Sequence, residues 1–226
     1  MRFVCQLFRG KDFWKATARY DERHVIVLAS MLYRHGGHSL TCIQDGSFSI
    51  PPGITSITMP EHVAALPDYQ PKLWVWSRQL HDLIGERFAV IDLDVVIAGD
   101  LAPVLARSER FCIWDHAAGE LYNSSLFVIS PGFGNAVWDC YSVNTFARVR
   151  HDYENSGRYW TGDQSWIGHV LGRGKTTFGE CDGVIQYRPK YHRAVMPSDM
   201  LACFMCGPYE PFSEAEESEW VKTLYH

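Results

Sequence analysis

Residues 88–101, FAVIDLDVVIAGDL, constrain the fold more than any other stretch of this chain. The run of Val, Ile and Leu reads as a buried strand, yet Asp92 and Asp94 interrupt it two residues apart. On a strand, residues i and i+2 point to the same side, so the two carboxylates are expected next to each other. Burying one ionised carboxylate without a partner is costly, and two neighbours also repel. Something positive has to meet them. A divalent ion such as Mg2+ or Mn2+ is the economical answer, because such ions are usually held by one or two carboxylates plus substrate phosphates. The bland alternative is a strand that has already ended, with both aspartates solvated or capping a turn.

The surrounding order of elements bears on that choice. MRFVCQLF reads as a first strand, and residues 20–35 carry Val25, Leu28, Ala29 and Leu32 at helical spacing. HSLTCIQDG reads as a second strand closed by an Asp-Gly turn, and PPGITSITMP holds a short third strand between prolines. PKLWVWSRQLHDLIG reads as one helix, with Pro71 in its first turn, Leu73, Trp76, Leu80 and Leu83 on one side, and Gly85 at its end. This β-α-β-β-α-β alternation predicts an α/β fold with a mainly parallel sheet. Ligands of open α/β sheets gather outside the strands' carboxyl ends, which favours the ligand reading of the aspartate pair.

The second half is less regular. RFCIWD and LYNSSLFVIS read as strands, residues 135–148 as a helix, GDQSWIGHVLG as a short helix and MLACFMCG as a last strand. SEAEESEW reads as a solvated acidic helix. No linker divides the chain, and 226 residues with 46% apolar content suffice for one core, so 1–226 is expected to be a single domain.

A net charge of −5 and a pI near 6.0 give no basic footprint for nucleic acid, and no polybasic run suits an anionic membrane. The start, MRFVCQLFRG, lacks a signal peptide's apolar core, and no run of about 18 apolar residues occurs, so a soluble cytoplasmic protein without a membrane span is expected. The seven cysteines (5, 42, 112, 140, 181, 203 and 206) lie mostly in apolar segments and are expected to be reduced. Cys203 and Cys206 form one CxxC, but no second pair stands at zinc-ribbon spacing.

VIDLDVVIAGDL resembles the DxD segment of GT-A-fold glycosyltransferases, particularly the glycogenin-like and bacterial galactosyltransferase-like (family 8-like) enzymes. YDERHVIVLASML is similar to their first helix, with Tyr20 where a tyrosine stacks on uracil. PKLWVWS resembles a segment whose lysine, here Lys72, contacts the nucleotide. YNSSLFVISPG is similar to the strand beside the donor sugar, which maps Asn123 and Ser124. TGDQSWI is similar to the helix start near the anomeric carbon, which maps Asp163 and Gln164. The five segments occur in the same order over residues 1–170.

The resemblance implies a single GT-A-like domain with a Rossmann-like mixed sheet, residues 1–100 forming a nucleotide-binding half and 101–226 a sugar and acceptor half. It implies metal-dependent sugar transfer from a nucleotide-diphosphate donor, a UDP-sugar, to an acceptor the residues do not define. Asp92 and Asp94 would hold Mn2+ or Mg2+, with Asp92 also reaching the donor. Lys72 would offset charge growing on the diphosphate. Asn123 and Ser124 either donate to the donor or form a turn. Asp115, ending FCIWD, either accepts from a sugar hydroxyl or caps a turn. Asp163, with Gln164 beside it, either caps its helix or faces the reacting carbon. Both roles suit a helix N-terminus.

The chain also departs from that pattern. These enzymes supply a third metal ligand from a late His-Phe-x-Gly segment followed by Lys-Pro-Trp. Here the stretch is ACFMCGPYEPF: Gly207 and Pro211 align, Phe204 stands in place of the histidine and Glu210 in place of the lysine. Cys206 and the distant His192 are the candidate substitutes. The loop over residues 8–19 is longer than the family's. Residues 148–160, with Tyr153, Gly157, Tyr159 and Trp160, either wall an acceptor or simply pack. Two rival readings remain: a catalytically inactive nucleotide-sugar-binding module of the same fold, and a haloacid-dehalogenase-like phosphatase with Asp92 as nucleophile, Asp94 as general acid and Ser130 in its second motif.

Overall fold

A computed structural model describes residues 1–9, 20–115, 122–205 and 209–226. Among the described residues, ten strands form two sheets: β1 (Arg2–Leu7), β2 (Ser39–Gln44), β3 (Thr55–Thr58), β4 (Phe88–Ile91), β5 (Val95–Ile97), β6 (Phe111–Trp114), β7 (Asn123–Ile129), β8 (Thr176–Phe178), β9 (Val184–Gln186) and β10 (Ala202–Phe204). The helices of the described residues are α1 (Glu22–Gly36), α2 (Glu61–Ala64), α3 (Arg78–Ile84), α4 (Ala102–Leu105), α5 (Ala136–Asp139), α6 (Val143–Asn155), α7 (Asp163–Leu171), α8 (Pro189–His192), α9 (Pro211–Glu217) and α10 (Glu219–Leu224).

The seven-stranded sheet runs β3-β2-β1-β4-β7-β6-β8, parallel throughout except where β7 pairs antiparallel with β4 and β6. A small sheet, β5-β10-β9, packs on one side. Alternation along β1 divides the interior. Phe3, Cys5 and Leu7 join α1 and the small sheet in one core, while Val4 faces a second core with Trp76, Leu80 and Trp166. The expected mixed, mainly parallel α/β domain is therefore observed.

Three local expectations need correction. The apolar run 88–97 is not one strand. β4 ends at Ile91, and the chain leaves the large sheet to enter the small one at Val95, with Asp92 and Asp94 in the link. Apolar residues continue because both sheets are buried. The helix expected over PKLWVWSRQLHDLIG is a 3-10 turn, Gln70–Trp76, followed by α3. Ser77 lies extended at ψ 147° and accepts the Leu80 N–H, capping a new helix instead of continuing the old one. Residues 135–148 likewise hold α5 and the start of α6, which Ser142 caps by accepting the Thr145 N–H. The positive φ of Gly134 (67°) permits the sharp entry to α5. A Cβ there would also lie 2.7 Å from the Trp76 ring.

The acidic tail is not merely solvated. Glu214 on α9 is buried, accepting the Tyr187 hydroxyl proton at 2.7 Å and pairing with Arg193 at 3.2 Å. This network ties the C-terminal helices to the body.

Candidate active site

The site gathers where β4 ends, β7 begins and α7 starts, beyond the ends of the two central strands of the large sheet. Antiparallel pairing sets Ile91 against Leu126, which brings the start of β7 beside the aspartate link. The Asp92 N–H donates to the Ser125 carbonyl at 2.9 Å, fixing that link to β7. On its other side the Met205 N–H donates to the Asp94 carbonyl at 2.7 Å, tying the link to the end of β10.

Lys72, carried on the 3-10 turn, places Nζ 2.6 Å from Asp92 Oδ1 with both side chains mostly shielded from water. Burial works against its ammonium, but the charges of Asp92, Asp163 and Asp94 outweigh it and hold its pKa above the ordinary lysine value. Burial raises the pKa of Asp163, with Lys72 and a 2.7 Å hydrogen bond from the Ser124 hydroxyl acting in the opposite direction. Asp94 accepts from the Tyr20 hydroxyl at 3.2 Å. Among the described residues, Lys72 thus pairs with Asp92 and also feels the charges of Asp163 and Asp94, carboxylates drawn from two distant parts of the sequence. Gln6, Lys72, Ser124 and Asp163 line a small cavity whose floor is Leu73, Val90, Phe127 and Ile167.

Most expected site residues converge. Asn123 is buried and accepts from the Ser125 N–H at 2.9 Å, and Gln164 Nε2 reaches it at 3.5 Å. The Gln164 Oε1 is buried with no hydrogen-bond partner, an acceptor left open beside Asp163. Asp163 itself is the first residue of α7 rather than its N-cap. Gly162 holds the cap position at φ 68°, ψ −124°, so the carboxylate is released to Ser124. Tyr20 meets Asp94 through its hydroxyl, and its ring packs edge-on to His24.

Asp115 lies at the same end of the sheet, one residue past Trp114, which pairs with Asn123. Its N–H donates to the Phe178 carbonyl at 2.8 Å and its side chain is exposed. Tyr153 and Trp160 pack against each other and Trp160 against Phe146, so of the three aromatic residues of the expected acceptor wall Tyr159 is the exposed one. Ser130 follows the far end of β7, beyond the pairing of Phe88 with Ile129, and is therefore a strand's length from Asp92. A phosphatase second motif at Ser130 does not meet the first.

The donor set fits a hard divalent cation in its two-carboxylate form. Asp92 and Asp94 offer oxygens, but among the described residues no group of three His, Cys, Asp or Glu side chains could enclose a metal. Phe204 is fully buried on β10, with its ring 4.8 Å from that of Trp114. Glu210 turns away to His24 Nε2 at 2.8 Å and caps α9 through the Phe212 and Ser213 N–H groups. His192 accepts the Arg188 N–H at 3.0 Å within its own turn, and Cys206 and most of the 8–19 loop lie outside the described residues. A cation here would complete its shell with diphosphate and water. Among the other cysteines, Cys5, Cys42 and Cys112 are buried free thiols, whereas Cys140 and Cys181 are exposed free thiols. Among the described residues no helix is long and apolar enough to cross a membrane.

The sheet order, the split after β4 and the cluster at its carboxyl end define a single GT-A-like domain. The chain superimposes on the galactosyltransferase LgtC, solved in complex with donor and acceptor sugar analogs, with a TM-score of 0.61 at 14% identity, covering 100% of this chain and 97% of that one. A structure of LgtC carrying an active-site mutation gives 0.63 at 12% identity with the same coverage. The glycosyltransferase GlyE of Streptococcus pneumoniae TIGR4, in its apo form, gives 0.58 at 11% identity, and the match takes in 93% of this chain but only 56% of GlyE. No protein-family profile and no curated protein sequence matches the chain.

Proposed function

We propose that this protein is a glycosyltransferase that moves a sugar from a nucleotide-diphosphate donor, a UDP-sugar, to an acceptor, with Mn2+ or Mg2+ held by Asp92 and Asp94. The observation that carries this reading is the meeting of Lys72, Asp92, Asp94, Ser124 and Asp163 at the carboxyl end of β4 in a GT-A-like fold. When bound, the cation would act as a Lewis acid on the departing diphosphate.

The protein's own groups supply the rest. Lys72 is fixed on Asp92 before substrate arrives, so its charge is in place as the leaving group becomes more anionic. Tyr20, anchored to Asp94, offers its ring to the base. Ser124 holds the Asp163 carboxylate in one rotamer, from which it faces the electron-poor carbon or orients the acceptor. Asn123 and the open Oε1 of Gln164 suit sugar hydroxyls.

The second reading, an inactive nucleotide-sugar-binding module, is favoured by Phe204 and Glu210 at the positions where the related pattern has His and Lys. One experiment separates the two. UDP-, GDP- and dTDP-sugars are incubated with the protein and Mn2+, Mg2+ or chelator, and nucleotide release is followed. Metal-dependent release of UDP supports the enzyme, binding without release supports the module, and neither binding nor release refutes both.

A further inference from the structure

His24 is a polar residue on an apolar stripe. The buried side of α1 carries His24, Val25, Leu28, Met31 and Leu32, and the histidine keeps only 3% of its surface exposed. A buried ring with two polar nitrogens needs partners for both. Nε2 donates to Glu210 Oε1 at 2.8 Å, joining parts of the chain 186 residues apart. Nδ1 meets the Asp21 N–H at 3.2 Å and Asp21 Oδ1 at 3.0 Å, which closes the first turn of α1. The imidazole also stands edge-on between two aromatic rings. Tyr20 lies at 5.1 Å with the planes at 87°, and Phe212 of α9 at 4.9 Å with the planes at 81°. Tyr225, just past α10, packs on Phe212 in turn at 4.9 Å.

The same contacts continue into the aspartate link. The Tyr20 hydroxyl donates to Asp94 Oδ2 at 3.2 Å, and the Asp94 carbonyl accepts the Met205 N–H at 2.7 Å. Asp92 is oriented differently, by the Lys72 ammonium at 2.6 Å. The two carboxylates therefore answer to different parts of the protein: Asp92 to the 3-10 turn, and Asp94, through Tyr20 and His24, to α9. A side chain that holds a cation must keep its oxygens within about 0.5 Å of the binding geometry, and the groups behind it set that precision.

We infer that His24 and Glu210 are positioning residues for Asp94. The Glu210 carboxylate fixes the His24 ring, the ring fixes Tyr20, and the Tyr20 hydroxyl sets the Asp94 oxygens for a divalent cation. This rests on the reading of Asp92 and Asp94 as a cation site. It gives the C-terminal helices a part in that site although Glu210 itself points away from it. A purely structural role, in which the pair only fastens α9 to α1, makes a different prediction: loosening α9 elsewhere would then have the same effect on the cation.

The test uses the full chain with UDP, and free Mn2+ is followed by electron paramagnetic resonance well below the melting temperatures. His24→Leu suits the apolar stripe and removes the link. Glu210→Gln keeps an acceptor for the first N–H groups of α9 and removes the charge facing His24. Glu214→Gln is the control, since it weakens the Tyr187 and Arg193 contacts of the same helix without touching His24. Losing a group directly behind a metal ligand costs about 10–100-fold in affinity, and His24 acts one residue further back. The Mn2+ dissociation constant should therefore rise about tenfold in His24→Leu and about threefold in Glu210→Gln. In Glu214→Gln it should stay within about twofold of wild type while the melting temperature falls. A constant within about twofold of wild type in either His24→Leu or Glu210→Gln overturns the positioning role, and Glu210→Gln decides alone if His24→Leu does not fold. An equal rise in Glu214→Gln overturns it too, because α9 would then act only as a fastening. A wild type that leaves Mn2+ free in the presence of UDP removes the cation reading of Asp92 and Asp94, and the positioning role with it.

Discussion

The Lys72–Asp92 pair offers a direct test of how the site is built. At 2.6 Å and an effective dielectric near 20, the gross attraction is about 6 kcal/mol. Each side chain keeps about a fifth of its surface accessible, so desolvation and residual screening offset much of that. A net coupling of about 1.5–3 kcal/mol is expected. The measurement is a double-mutant cycle of Lys72→Met, Asp92→Asn and the double variant, each unfolded in urea at pH 7. Lys72→Met alone should cost more than the double variant, because it removes the cation paired with Asp92 and leaves that carboxylate charged near Asp163 and Asp94. A coupling below about 0.5 kcal/mol, or Lys72→Met as stable as the double variant, would refute the claim that Lys72 offsets the charge of Asp92.

Two further predictions concern pH. Glu210 is held down to about 2: burial acts against it, but hydrogen bonds from His24, Phe212 and Ser213 prevail. Its folded pKa is depressed, so its contribution is present above about 4.5 and is lost as pH falls toward about 2. Glu210→Gln should lower stability by about 2 kcal/mol at pH 7 and flatten the acid limb of the melting temperature between those values. His81 is buried, and Nδ1 accepts the Gly132 N–H at 3.0 Å while Nε2 donates to the Val75 carbonyl at 3.1 Å. Burial depresses its pKa, so the unfolded chain takes up a proton first, and stability should fall as pH drops below about 6.5. His81→Gln should reduce the slope of melting temperature between pH 7 and 5, and an unchanged slope would contradict a neutral buried imidazole.

Much of the fold was legible because period and punctuation agree. β1, α1, β2 and β3 follow the alternation and turn residues of the first 60 positions. The 88–101 run misled for a physical reason: the chain passes from one buried sheet to another, so apolar residues continue on both sides of the aspartates. The break at Ser77 was hidden because a 3-10 turn and a helix place apolar residues at similar spacing. β8 and β9 are three residues each, too short for a period to show. In the candidate site, Lys72, Asp92, Ser124 and Asp163 could be named through the family resemblance, but the pairing of Lys72 with Asp92 and of Ser124 with Asp163 needed coordinates. The exposure of Asp115 was not legible, because a carboxylate ending an apolar strand looks the same whether it faces a ligand or solvent.

The central claim is that Asp92 and Asp94 bind a divalent cation together with a donor diphosphate. Titrating UDP into wild type and Asp94→Ala, each with Mn2+ and with chelator, and following the melting temperature tests it most directly. The expected result is a shift in wild type that requires Mn2+ and disappears in Asp94→Ala, with the unliganded melting temperature of the variant little changed. A shift of equal size with chelator, or one that survives in Asp94→Ala, would contradict it.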